Sequence, residues 1–157
     1  MMDAVVLYHN GEQAKAALTA ASEHGTPITL ATAPGAARYA GPAYLAAALD
    51  EAETIHPDAR ATAWIDCGED ADLVLRSIKA GWRHVVFSGR KAVAERIGSI
   101  CAERQVELRS HRAFGKSASV IFDLGDTPDP MPGMRNFIMT RHGQAGDSTD
   151  RKARKQS

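Results

Sequence analysis

The sequence predicts an α/β domain built on a parallel sheet with both faces covered. Three observations carry this. Short apolar runs recur through the first 110 residues with helical patterns between them. The runs are continuous rather than alternating, as strands buried on both faces are. Glycine or proline punctuates the helical stretches, where chains start or stop helices. Repeated strand–helix units of this kind build a parallel sheet.

The elements follow in order. Ala4 to His9 (AVVLYH) is the first strand. Gln13 to His24 is a helix with Ala14, Ala17, Leu18 and Ala21 on one face, and Gly25 ends it. Pro27 to Ala33 is the second strand, and Gly35 to Gly41 reads as a loop. Pro42 opens the next helix, where its missing N–H costs nothing. That helix buries Leu45, Ala48, Leu49, Ala52 and Ile55. Ala61 to Asp66 is the third strand, and Asp70 to Ala80 a helix closed by Gly81. His84 to Gly89 is the fourth strand. A helix over Lys91 to Arg104 buries Val93, Ile97, Ile100 and Cys101, and Gln105 to Ser110 is the fifth strand.

The pattern then breaks. HRAFGKSA (His111 to Ala118) is polar and basic. SVIFDLG (Ser119 to Gly125) reads as a sixth strand without an assignable partner. TPDPMPGM (Thr127 to Met134) is proline-rich and is expected to be neither helix nor inner strand. NFIMT (Asn136 to Thr140) reads as a last strand. Residues 143–157 have no apolar periodicity and are expected to form a disordered basic tail, leaving 1–142 as one domain.

Composition narrows the function classes. Lys and Arg number 19, as do Asp and Glu, so the net charge is zero and a nucleic-acid partner is disfavoured. The two cysteines, Cys67 and Cys101, sit far apart in different elements, which gives no disulfide framework. No apolar run approaches the roughly 20 residues of a membrane span. The N-terminus lacks a basic n-region. The expectation is a cytoplasmic protein with no membrane contact.

Two segments carry a family resemblance. The first is TPITLATAPGAARYAGPAYLAAALDEA, Thr26 to Ala52, with Gly35, Ala36, Arg38, Tyr39 and Gly41 at its centre. The second is ATAWIDCGEDADLVLRSIKAGWRHVVFSGR, Ala61 to Arg90. Over about residues 3–110 the chain resembles class II, zinc-dependent fructose-bisphosphate aldolases. That resemblance implies a (β/α)₈ barrel, which usually takes about 250 residues. The expectation is therefore a half TIM-barrel-like sheet of parallel βα units with a divergent C-terminal extension.

The resemblance also implies site residues. The family's third strand ends in Leu-Asp-His-Gly, whose aspartate acts as acid/base at the substrate carbonyl, and Asp66 stands there. The histidine is a zinc ligand, and Cys67 replaces it. A thiolate also binds zinc, but a catalytic site needs three protein ligands. Glu107 lies near another ligand position but inside a strand. RHGQAG (Arg141 to Gly146) is similar to a glycine-rich ligand loop, and a chance match outweighs that reading. The family's serine and glutamate before Gly35 are Ala33 and Pro34 here, and its Asp-Gly-Ser is Ser88-Gly89-Arg90.

Each candidate has a plain structural reading beside the functional one. Asp66 reads first as a helix cap or loop residue. Cys67 reads as a small half-buried hydrophobe. His9 and Asn10, on the same side of the sheet, join a polar pocket or simply make a turn. Arg38, Arg90, Arg109, His111, Arg112 and Lys116 form either a basic rim for an anion or a solvated face. A receiver-like reading, with Asp66 as phospho-acceptor and Ser88 as switch hydroxyl, lacks the acidic pair that holds Mg²⁺.

The leading expectation is a non-catalytic aldolase-like module that binds a partner protein or a small anionic, phosphorylated ligand through His9, Asn10, Arg38, Ser88, Gly89 and Arg90. It needs no resident cofactor. The alternative is a small divergent metal-dependent lyase or isomerase acting on a sugar phosphate, with Asp66 as acid/base and Cys67 as zinc ligand. Open sheet edges must be paired or covered. Hence a homodimer is expected, or a C-terminal segment folded back over the opening.

Overall fold

The computed structural model of the chain describes residues 2–126 and 129–140. Its elements are β1 (Met2–Tyr8), α1 (Gly11–His24), β2 (Ile28–Thr32), α2 (Ala36–Ala40), α3 (Pro42–Ile55) and β3 (Ala61–Asp66). Then come α4 (Ala71–Lys79), β4 (His84–Val86), α5 (Lys91–Glu103), β5 (Glu107–Arg109), α6 (His111–Ser117) and β6 (Ala118–Asp123). A 3₁₀ turn at Leu124–Asp126 and a helix over 130–140, α7, complete it.

The six strands form one parallel sheet in the order β5-β4-β3-β2-β1-β6. The sheet is not closed. On its outer face Val6, Tyr8, Leu30, Ile65 and Val85 pack against Leu18 of α1, Leu45 and Leu49 of α3, Val74 of α4 and Ile97 of α5. The inner face carries Val5, Ala31, Trp64 and Val86, covered by Phe114 of α6.

That division follows from chain handedness. The first five strands step one way across the sheet, with their helices outside. The connection from β5 to β6 runs the other way, past β1. A right-handed crossover then places its helix on the opposite face. The burial of Phe114 among the inner-face residues fits this rule.

Local chemistry explains the helices. Asn10 caps α1 by accepting the Gln13 N–H at 3.0 Å, and Gly25 takes the left-handed conformation that closes it. Pro42 sits in the first turn of α3. Asp70 caps α4 through the Leu73 N–H at 3.1 Å.

Three sequence expectations are corrected. Residues 35–41 are not all loop, because 36–40 form α2 between two glycines of positive φ. The stretch from His111 is a helix, capped by Ser110, whose hydroxyl accepts the Ala113 N–H at 3.1 Å. The expected proline-rich irregular stretch and last strand are one helix, α7. Pro130 and Pro132 fall in its first turn, where N–H groups have no intrahelical partner. Met134 and Ile138 then bury one turn apart, while Phe137 stacks on Phe122 with centroids 4.8 Å apart. The sixth strand also gains its partner: it pairs with β1, Val5 facing Ile121. The expected tail and the RHGQAG motif lie outside the described residues.

Candidate functional site

The C-terminal ends of the parallel strands gather the polar residues, as open α/β sheets do. β3 delivers Asp66 with its side chain on the inner side and only 11% exposed. Its backbone N–H donates to the Thr32 hydroxyl at 2.8 Å, tying β3 to β2. Its Oδ1 accepts the Gly68 N–H at 2.9 Å, and its Oδ2 lies 3.4 Å from Nδ1 of His111. Helix capping falls to Asp70 rather than to Asp66.

His111 enters from α6. Its backbone N–H donates to the Ser88 hydroxyl at 2.8 Å, and the Ser88 N–H donates to Gly68 carbonyl oxygen at 2.8 Å. Ser88 thus braces β3, β4 and α6 together. Beside it, a Cβ on Gly89 would overlap the Phe87 ring, so glycine is required there. Arg90 is exposed and occupies the cap position of α5 with no side-chain bond.

Arg38 is 72% exposed and reaches Asp70 at 3.2 Å. The Leu73 N–H and the Arg38 guanidinium hold the Asp70 carboxyl below the usual carboxylate range. Gly35, Arg38, Asp66, Gly68, Glu69 and Asp70 line an open cleft of about 570 Å³. One guanidinium therefore faces three carboxylates across it.

Cys67 borders the same cleft but is 3% exposed and belongs to the outer-face core. Its Sγ lies 3.5 Å from the Ser77 hydroxyl of α4. Burial pushes its thiol up to about 11. A thiol buried against α4, next to an Asp66 turned to the other side, does not fit a zinc centre. Among the described residues no group of three His, Cys, Asp or Glu side chains is placed to hold a metal. Glu107 lies at the start of β5 and bonds Arg109 at 2.9 Å, with its backbone partner His84 alongside.

His9 and Asn10 take other roles. Asn10 is the α1 cap. His9 Nε2 meets Asp123 Oδ1 of β6 at 2.7 Å. Partial burial of Asp123 opposes its ionisation, but the Gly125 N–H and the His9 ring outweigh that and hold its carboxyl below the ordinary range. The His9 N–H donates to Gln13 Oε1 at 2.7 Å, and Gln13 Nε2 donates to the Leu124 carbonyl at 3.1 Å. This buried relay fastens the β6 end to the start of α1.

The structure thus brings Arg38, Asp66 and Cys67 to one cleft, adds Ser88 through His111, and sets His9 beside β6. Reading the sequence placed His111 in a basic rim and missed it as the partner of Asp66. Asp123 was missed too, and its signal is the acid that ends the sixth apolar run.

The family model for class II fructose-bisphosphate aldolase matches residues 4–104. The chain belongs to the class II fructose-bisphosphate aldolase family. The plasmid-encoded fructose-bisphosphate aldolase of Cupriavidus necator is 35% identical to this family member over 81 residues, 52% of the chain and 24% of that relative. A crystal structure from Coccidioides immitis, assigned as a fructose-1,6-biphosphate aldolase, superposes with a TM-score of 0.57 at 17% identity. It covers 69% of this chain and 40% of its own, and the likeness is one of fold. The chain spans about a quarter of the curated relative it matches. No helix among the described residues is long and apolar enough to cross a membrane.

Proposed function

We propose that this aldolase-family chain is a non-catalytic module that binds a small phosphorylated polyol in the Arg38–Asp66 cleft. The carrying observation is that cleft's chemistry. An exposed guanidinium shares a cleft of about 570 Å³ with the carboxylates of Asp66, Glu69 and Asp70. A phosphate competes with Asp70 for Arg38, and hydroxyls donate to Asp66 and Asp70. The burial of the Cys67 thiol against Ser77 of α4 argues against zinc-dependent bond cleavage at the same place.

Calorimetric titration with a sugar bisphosphate tests the reading. Saturable binding that falls at least tenfold in Arg38→Ala supports it. Absence of binding refutes the ligand assignment. Retro-aldol cleavage that appears on adding zinc refutes the non-catalytic assignment.

A second reading rests on the Asp66–His111 contact. An imidazole 3.4 Å from a carboxylate is an acid–base pair in waiting, and it would suit proton transfer on a hydroxy-carbonyl substrate. Under this reading Asp66→Asn abolishes turnover while the fold survives. Undiminished turnover in that variant excludes it.

A further inference from the structure

Strand β6 is an open edge. It bonds β1 on one side and no other strand among the described residues. Natural edges are blunted by lysine, proline or a bulge. The β6 sequence ASVIFD has no lysine or proline, and its register with β1 keeps one offset from Met2↔Ala118 to Leu7↔Asp123. Val120 and Ile121 point to opposite faces and are 44% and 50% exposed. The other edge, β5, is three residues long and carries Glu107 and Arg109.

We propose that β6 is the docking surface for a second copy of this chain, pairing antiparallel with its own equivalent across a two-fold axis at Ile121. A closed pair of identical strands must be antiparallel, because the two-fold brings the same patch of each copy together. Facing residues in such a ladder lie on the same side of the sheet. Two registers satisfy this near the middle of β6. Centred on Val120, Ser119 faces Ile121, a hydroxyl against an apolar side chain. Centred on Ile121, Ile121 faces itself, Val120 faces Phe122, and Ser119 faces Asp123. The second register matches apolar with apolar and a hydroxyl donor with a carboxylate, and no like charges meet. This self-complementarity selects a second copy over an unrelated strand. The two sheets become one continuous sheet, with the two clefts at opposite ends. The inference does not depend on what the cleft binds.

The register gives a specific test on the full chain. Both native cysteines are buried, so an edge cysteine is the reactive thiol. Under mild oxidation Ile121→Cys forms a disulfide-linked dimer, whereas Ser119→Cys, facing Asp123, stays uncrosslinked. Light scattering at micromolar concentration gives the wild type twice its 16.8 kDa chain mass. Ile121→Lys, which sets two ammonium groups face to face on the axis, weakens the dimer at least tenfold. A monomeric wild type overturns the proposal. So does equal crosslinking of the two cysteine variants, or a folded Ile121→Lys that dimerises undiminished. If Ile121→Lys fails to fold by circular dichroism, the cysteine pair alone decides.

Discussion

The ring of Phe114 lies 5.3 Å from that of Trp64, tilted at 58°, and this pair closes the inner face of the sheet. Arg109 stands over the same indole at 5.1 Å, and His84 approaches it at 5.0 Å. Phe114 is the buried residue of α6, so it fixes the helix to the sheet. Phe114→Ala is expected to cost about 3 kcal/mol, within the usual range for deleting a buried phenylalanine. Acrylamide quenching checks the location. Trp64 becomes accessible in the variant, while Trp82, bonded to the Pro42 carbonyl on the outer side, does not.

Tyr8 offers a change in the opposite direction. Its hydroxyl is fully buried and has no hydrogen-bond partner among the described residues. Burial alone holds its ionisation above the ordinary tyrosine value. Tyr8→Phe removes an unsatisfied polar group and keeps the ring. It is expected to stabilise the fold by about 1 kcal/mol, read as a raised midpoint in urea. A lowered midpoint would show that the hydroxyl is satisfied in solution.

Cys67 titrates abnormally for a simple reason. Its thiol near 11, against an ordinary 9.0, reflects burial beside Ser77. The unfolded chain therefore loses this proton first as pH rises. The stabilising effect is complete below 9 and is lost toward 11, roughly 2 to 3 kcal/mol across that window. At neutral pH the folded protein should resist thiol labelling at Cys67 and react fully once unfolded. Rapid labelling of the native state would refute the placement.

Acid stability should depend on Asp123. Its folded carboxyl lies below the ordinary 3.8, so the unfolded chain binds the proton first as pH falls. The contribution is present above 3.8 and disappears as pH drops through the lower folded value. Asp123→Asn should be less stable than wild type at neutral pH and converge with it in acid. Gly125→Ala should mimic the variant, since a Cβ there overlaps the His9 ring and separates His9 from Asp123. Unfolding curves at several pH values read both.

Much of this fold is legible in the sequence. The apolar runs at Ala4–Leu7, Ile28–Ala31, Ala61–Ile65 and Val85–Val86 pair side by side in chain order, because each helix between them returns the chain outside the sheet. Helix α6 is not legible, since one buried residue in seven leaves no periodicity to detect. In α7 the prolines hide a helix that packs through Met134, Phe137 and Ile138. The pairing of β6 with β1 depends on which way the chain crosses, and no residue pattern states that. The same reason separates the site residues. Asp66 ends β3 and Arg38 follows the neighbouring β2 in α2, so strand order alone brings the two near each other. His111 arrives from the opposite face, so its contact with Asp66 had to be seen.

The β1–β6 ladder has a consequence in time. His9 and Asp123 are 114 positions apart, and closing so long a loop is entropically slow. The five neighbouring βα units can form from local contacts, but β1 waits for β6 to complete it. Changes in α6 and β6 should therefore speed unfolding and leave the folding rate nearly untouched, while changes in β2 or β3 alter both. The strand that leads this sheet in chain order is the last to be enclosed.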